Sequence, residues 1–180
     1  VAISNTGTGN RVMTSPDGIT WTSRTSASDN SWVSISWSPE LVLLVAVSNT
    51  GTGNRVMTSP DGITWTSRTS ASDIVWNGVT WSSELNLFVA VALTTSTSNI
   101  MSSPDGITWT IRTGANTNQL ANIEWSPELG IFAAVAITGT GNRVITSTDG
   151  ITWTSRTTPA DNQWVSIKWS LDLSIFVAVS

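Results

Sequence analysis

The sequence predicts an all-β protein built from repeated four-stranded antiparallel sheets, and three observations predict it. All 11 tryptophans fall in three columns of a 44-residue period that never slips: Trp21, Trp65, Trp109 and Trp153; Trp37, Trp81, Trp125 and Trp169; and Trp32, Trp76 and Trp164, with Leu120 in the remaining place. Every period carries the turn Ser-Pro-Asp-Gly-Ile-Thr-Trp, with Thr148 replacing proline in the last. Around these turns run short β-branched and aromatic segments separated by Ser, Thr, Gly and Asn, a mixture suited to many short strands.

Each period reads as four strands. The first, Trp32 to Trp37, alternates Val33, Ile35 and Trp37 with Trp32, Ser34 and Ser36, the two-residue period of a strand. A Ser-Pro-Glu-Leu turn follows. Position 42 and its equivalents hold Val42, Asn86, Gly130 and Ser174; if that place needs a left-handed backbone, Val42 is the uncomfortable occupant. The second strand, about Leu43 to Val47, is a continuous apolar run and is expected to be buried on both faces. A polar loop, Asn49 to Gly53, leads to the third strand, Arg55 to Ser59. The Pro-Asp-Gly turn then gives the fourth, Ile63 to Arg68. In that turn proline presets φ, aspartate folds back on nearby amides and glycine takes positive φ. With Thr64, Thr66 and Arg68 exposed, the fourth strand is the natural outer edge.

A small sheet with apolar groups on both faces cannot bury itself alone and must stack on its neighbours, which is the physics of a β-propeller blade. The chain is therefore expected to be a single domain over 1–180, with repeats of about 1–44, 45–88, 89–132 and 133–176 and residues 177–180 beginning a fifth. Taken in order, it supplies the end of a second strand with strands three and four, then three complete blades, then strands one and two. These complementary halves fit a four-bladed ring closed within one chain, a larger ring such as eight shared between chains, or a window on a longer array. Val177 to Ser180 repeat the phase of Val1 to Ser4, so both ends compete for one strand position.

The repeated Ser-Pro-Asp-Gly-Ile-Thr-Trp resembles the Asp-box, the turn motif of sialidase-like (BNR-type) propellers, in a version one residue shorter between aspartate and glycine. The resemblance covers all four repeats: Ser15, Asp17, Gly18 and Trp21; Ser59, Asp61, Gly62 and Trp65; Ser103, Asp105, Gly106 and Trp109; Ser147, Asp149, Gly150 and Trp153. It implies a propeller with the turn between a blade's third and fourth strands, where the box is a structural fastener. A sialidase also needs a tyrosine nucleophile, which this chain lacks.

Chemistry is sparse. Histidine, cysteine and tyrosine are all absent, removing the usual general base, the thiol and the phenol. The seven arginines occupy two columns of the repeat, so they are spread around the array instead of gathered in one pocket. Near-identical blades give each carboxylate the same surroundings, whereas acid–base catalysis needs two that differ. We expect no enzyme activity, no catalytic residues, no cofactor and no metal site; Asp17, Asp61, Asp105 and Asp149 read as holding their own turns. A net charge of -4 argues against nucleic acid, and no apolar run reaches membrane-spanning length. Glu124 and Lys168 share a column, which fits either a pair between neighbouring blades or places on opposite sides of a ring.

The Trp21 column reads as core. The Trp32 column is the better candidate for a surface, because it follows a polar loop and one blade carries leucine there. Acids and amides beside an aromatic face are what a carbohydrate site uses, so, although packing is the favoured reading of this column, the candidate ligand surface is Asp29, Asn30 and Trp32, Asp73 and Trp76, and Asp161, Asn162 and Trp164. The leading expectation is a multivalent recognition or adhesion module for glycans or surface proteins, displayed outside a cell or on a virion, with self-association into a larger ring or array as a further expectation. The alternative is a purely architectural repeat in a larger fibre, coat or array.

Overall fold

A computed structural model describes all residues, 1–180. Seventeen antiparallel strands form five sheets in chain order. The first sheet holds β1 (Ala2–Ile3), β2 (Val12–Thr14) and β3 (Thr22–Arg24). Three complete sheets follow: β4 (Trp32–Ser38), β5 (Leu43–Ser48), β6 (Val56–Ser59) and β7 (Thr66–Arg68); β8 (Trp76–Ser82), β9 (Leu87–Ala92), β10 (Ile100–Ser103) and β11 (Thr110–Arg112); β12 (Leu120–Ser126), β13 (Ile131–Ala136), β14 (Val144–Ser147) and β15 (Thr154–Arg156). The last sheet is β16 (Ser166–Ser170) with β17 (Ile175–Val179). Strand order within each sheet follows the chain, so β7, β11 and β15 are edges, as their polar sequence requires.

The sheets are blades that stack through their faces. The first strands β4, β8, β12 and β16 lie side by side along the stack. Val45, Val47 and Val56 of one blade pack on Trp76, Val79, Trp81, Phe88, Met101 and Trp109 of the next. One period on, Val89, Val91 and Ile100 meet Leu120, Ile123, Trp125, Phe132, Ile145 and Trp153 in the same way. The second strands of the three complete sheets are deeply buried: Val45, Ala46, Val47, Phe88, Val89 and Phe132 are all inaccessible to water. Burial on both faces explains why they are apolar at every position rather than at alternate ones.

Position 42 and its equivalents take positive φ in every repeat, at 49° for Val42, 47° for Asn86, 62° for Gly130 and 53° for Ser174. Val42 is therefore held where a β-branched side chain is strained.

The expected alternation of the first strand is corrected. A bulge shifts the register between Trp32 and Ser34, between Trp76 and Gly78, and between Leu120 and Asn122. One extra residue reverses the parity of everything before it. Trp76 therefore shares a face with Val79 and Trp81, and Leu120 shares one with Ile123 and Trp125, instead of opposing them.

Successive first strands are also tied by polar contacts. The Val79 amide donates to Ser34 Oγ at 3.1 Å, Asn77 Nδ2 donates to the Ala121 carbonyl at 2.6 Å, and Lys168 Nζ meets Glu124 Oε2 at 2.7 Å, the first of the two arrangements their shared column allows.

Candidate functional site

The stack has two rims. Hairpin turns between strands one and two and between strands three and four of every blade emerge at one end, and the loops between strands two and three emerge with the blade-to-blade connections at the other.

On the turn rim, each aspartate is consumed by its own turn. Asp61 Oδ1 accepts from the Ile63 and Thr64 amides at 2.8 Å each and from Ser59 Oγ at 3.0 Å. Asp17, Asp105 and Asp149 repeat the pattern with Ser15, Ser103 and Ser147. Glycine follows at φ between 68° and 75° in all four turns. The indole N–H groups of Trp21, Trp65 and Trp109 donate back to the carbonyls of Gly18, Gly62 and Gly106 at 3.1 to 3.2 Å, which fixes the fourth strand to its turn. Trp65, Trp109 and Trp153 are buried, whereas Trp21, in the three-stranded first sheet, is 44% exposed.

These bonds hold the carboxyls low. The Thr20 and Ile19 amides, then the Ser15 hydroxyl, bring Asp17 from the ordinary 3.8 to about 2. The Thr64 and Ile63 amides bring Asp61 to about 2. Partial burial pushes Asp149 upward, and the Thr152 and Ile151 amides overcome it to reach about 2. Because the folded value lies below the unfolded one, the stabilisation is complete above the unfolded pKa and is lost as pH falls through the folded one. The thermal midpoint is expected to hold steady down to about pH 4 and to drop between about pH 4 and pH 2. Asp61→Asn keeps an acceptor and removes the titration, so its midpoint should fall less over that interval. An acid limb as steep as that of the unmodified chain would contradict this assignment.

Acids also fasten blade to blade. Trp81 Nε1 donates to Glu40 Oε2 and Trp125 Nε1 to Glu84 Oε2, both at 2.7 Å, and Trp169 Nε1 donates to Glu128 Oε2 at 2.5 Å. Each bond joins the turn of one blade to the first strand of the next.

The loop rim carries the residues expected to form a ligand surface, and most are engaged in closing the blades. Asp73 Oδ1 accepts from the Gly53 amide at 2.6 Å and lies 3.7 Å from Arg55 Nε. Asp29 and Asp161 do the same with Gly9 and Arg11 and with Gly141 and Arg143. The arginine donates onward to loop carbonyls, Arg55 to those of Gly51, Asn49 and Ile74. Asn30 is buried, and its Nδ2 donates to the Asn54 carbonyl at 2.8 Å. Asn162 is exposed near Ser180.

Trp32 and Trp76 are 1% and 0% exposed, so they pack within the stack and do not form the candidate aromatic surface. The register bulge turns their rings into the stack, where the indole N–H groups donate to the Ser28 and Ser72 carbonyls at 3.0 and 2.9 Å. Trp164 is half-buried against Ala133, Val135 and Ile167.

The third repeat closes the same loop by other means. Asn99 stands in the arginine column and Thr117 in the aspartate column. Asn99 Nδ2 donates to the carbonyls of Asn116 and Asn118 at 3.2 and 3.1 Å. A side chain at Gly114 would collide with the Asn99 amide, so three substitutions act as one alternative clasp. That trade identifies the Arg–Asp columns as structural.

What remains open on the turn rim is apolar. Ile19, Ile63, Ile107 and Ile151, from the strand three to four turns, and Leu41, Leu85, Leu129 and Leu173, from the strand one to two turns, are 39% to 86% exposed. They recur at equivalent places in each blade beside the turn carboxylates. Sequence reasoning passed over them because Ile-Thr-Trp reads as strand; the signal was their position immediately after a tight turn, where no partner strand covers them.

No family model and no curated protein matches the chain. Its fold is similar to a chain in the crystal structure of a Nidogen/Laminin complex, with a TM-score of 0.63 at 10% identity over 88% of this chain and 60% of that one. A chain of a mitotic checkpoint complex matches with a TM-score of 0.64 at 16% identity over 88% of this chain and 48% of that one. Sqt1 of Saccharomyces cerevisiae matches with a TM-score of 0.56 at 15% identity over 78% and 39%. These are β-propeller proteins, and at such identities the likeness carries the fold alone. The chain spans between 39% and 60% of their lengths.

Proposed function

We propose that the chain is a non-enzymatic, multivalent recognition module, displayed on a cell or virion surface, whose turn rim offers one weak apolar and acidic contact per blade to a protein partner. The observation that carries this reading is the recurrence of an isoleucine and a leucine, each 39% to 86% exposed, at the same end of successive blades. A single exposed apolar side chain means little, but a regular series on one rim is the pattern of an interaction surface. Weak contacts repeated on a rigid frame gain strength when engaged together. Carbohydrate recognition is the less supported version: with Trp32 and Trp76 buried, Asp29 and Asp73 have no accessible indole beside them on which a sugar ring could stack, and only Trp164 beside Asp161 is partly open.

Protein and glycan arrays probed side by side test this. Saturable binding to proteins, lost in the Ile63→Ser, Ile107→Ser double variant, is expected. Saturable glycan binding indifferent to that variant would overturn the protein reading. No binding on either array would favour the architectural alternative, and turnover of a glycosidase substrate would overturn the non-enzymatic one.

A further inference from the structure

We infer that the outer margin of each seam between blades is an oxyanion site, built on the fourth-strand arginines Arg24, Arg68 and Arg112 and taking a tetrahedral dianion, sulfate or phosphate.

The chain holds two columns of arginine, and they are used differently. Arg11, Arg55 and Arg143 each lie beside an aspartate and donate through Nε and Nη1 to loop carbonyls. The fourth-strand arginines donate through Nε alone. Arg24 reaches Thr14 Oγ1 and Arg68 reaches Thr58 Oγ1, both at 2.9 Å, and Arg112 reaches Ser102 Oγ at 2.8 Å. Arg156 repeats the bond with Thr146 Oγ1 at 2.8 Å. None of these four forms an ion pair, and their terminal Nη groups have no partner within the chain. The hydroxyl thus holds each guanidinium through Nε and leaves the two-donor fork unused. Such a fork receives two oxygens of one anion side by side.

Register places each fork at a seam. Arg68 pairs with Val56 and Val56 with Val47, and both valines pack on the following blade. Cross-strand partners share a face, so Arg68 looks toward the following blade from the outer edge of its own. Arg112 does the same through Ile100 and Val91. On the far side of the first seam stands Ile111, whose partner Met101 packs back on the preceding blade; on the far side of the second stands Ser155, paired with Ile145. Thr66 and Thr110, two residues before each arginine, lie on the arginine's face and are exposed. Fork and hydroxyl together offer donors to three oxygens, which a tetrahedral anion has and a carboxylate lacks. Arg68 and Arg112 are half-buried, so less side-chain freedom is lost on binding than at a fully exposed arginine.

Local charge favours an anion here although the whole chain carries -4. Three aspartates are taken up by Arg11, Arg55 and Arg143, and Glu124 by Lys168. All other carboxylates belong to hairpin turns at one end of the stack. The fourth-strand arginines are therefore the cations left without a counter-charge, and an anion held between blades offsets them. The site lies on the circumference and is independent of what the turn rim binds.

Titration of the 180-residue chain with sodium sulfate and, separately, with sodium phosphate tests it, read from the arginine Nε–Hε resonances by NMR. Sodium chloride at equal ionic strength is the control for screening. The Arg24, Arg68 and Arg112 resonances are expected to shift saturably, with half-saturation at about 1–50 mM, while those of Arg11, Arg55 and Arg143 stay within the chloride response. Arg68→Lys keeps the charge and removes the fork; Thr58→Val keeps the arginine and removes the hydroxyl that holds it. Each should raise half-saturation, followed at the Thr66 amide, about five-fold or more and leave the Arg112 site unchanged. Saturation by either dianion in this pattern supports the site, and the one that saturates first names the ligand. Shifts matching those of chloride, an equal response from the two arginine columns, or Thr66 shifts indifferent to both substitutions would overturn it.

Discussion

Trp76→Ala is expected to lower the unfolding free energy by about 3–5 kcal/mol. The ring is 0% exposed and packs on Val45, Val47 and Val56 of the preceding blade, so truncation opens a cavity at the seam where two blades meet. The neighbouring strands are fixed by their own ladders and have little freedom to collapse into it. A loss of that size is a large fraction of a domain's total stability, about 5–15 kcal/mol. Urea unfolding measures it, and Trp21→Ala in dilute chain is the internal comparison. Trp21 is 44% exposed, and its loss should cost markedly less. A loss below about 1 kcal/mol for Trp76→Ala, within the range of surface substitutions, would remove this column from the core.

Gly106→Val should cost about 3 kcal/mol, from two sources of similar size. The residue sits at φ 69°, where a β-branched side chain is strained. A Cβ there would also lie 2.9 Å from Leu43 Cδ2 and 2.9 Å from Val45 Cγ2, both in the preceding blade. Gly18 separates the two effects, having φ 75° with nothing within 4 Å of the same Cβ. Gly18→Val is expected to show the backbone part alone, about 1–2 kcal/mol. Equal losses at the two positions would mean that the turn glycine does not touch the neighbouring blade.

Much of this architecture could be read from the residues because the repeat supplies the same message several times. Four strands per period, the polar fourth strand as edge and the division of the chain into two partial and three complete sheets all follow from apolar patterning and turn chemistry. The left-handed position of Val42 was visible only by comparison with Gly130 and Asn86 in the same column.

The candidate site was less legible. Strict alternation assigns Trp32 and Trp76 to the opposite face from Trp37 and Trp81; the inserted residue at each bulge reverses that, and nothing local marks it. The pairing of Arg55 with Asp73 depends on a loop folding back across its blade, so only the joint replacement by Asn99 and Thr117 hints at it. The Trp81–Glu40 bond is between blades, and its signal is that an acid fills the equivalents of position 40 in every period, at Glu84, Glu128 and Asp172. Chemistry that seemed available for ligands in the sequence is largely spent on holding loops and neighbours in place.

Stability in this fold is assigned to the seams between blades, and excising one blade tests that most directly. Residues 30–70, which contain β4 to β7, should show no cooperative thermal or urea transition and no protected amides when isolated, although the same residues are ordered in the whole chain. A cooperative transition in the isolated blade, with protection equal to that in the 180-residue protein, would contradict the account.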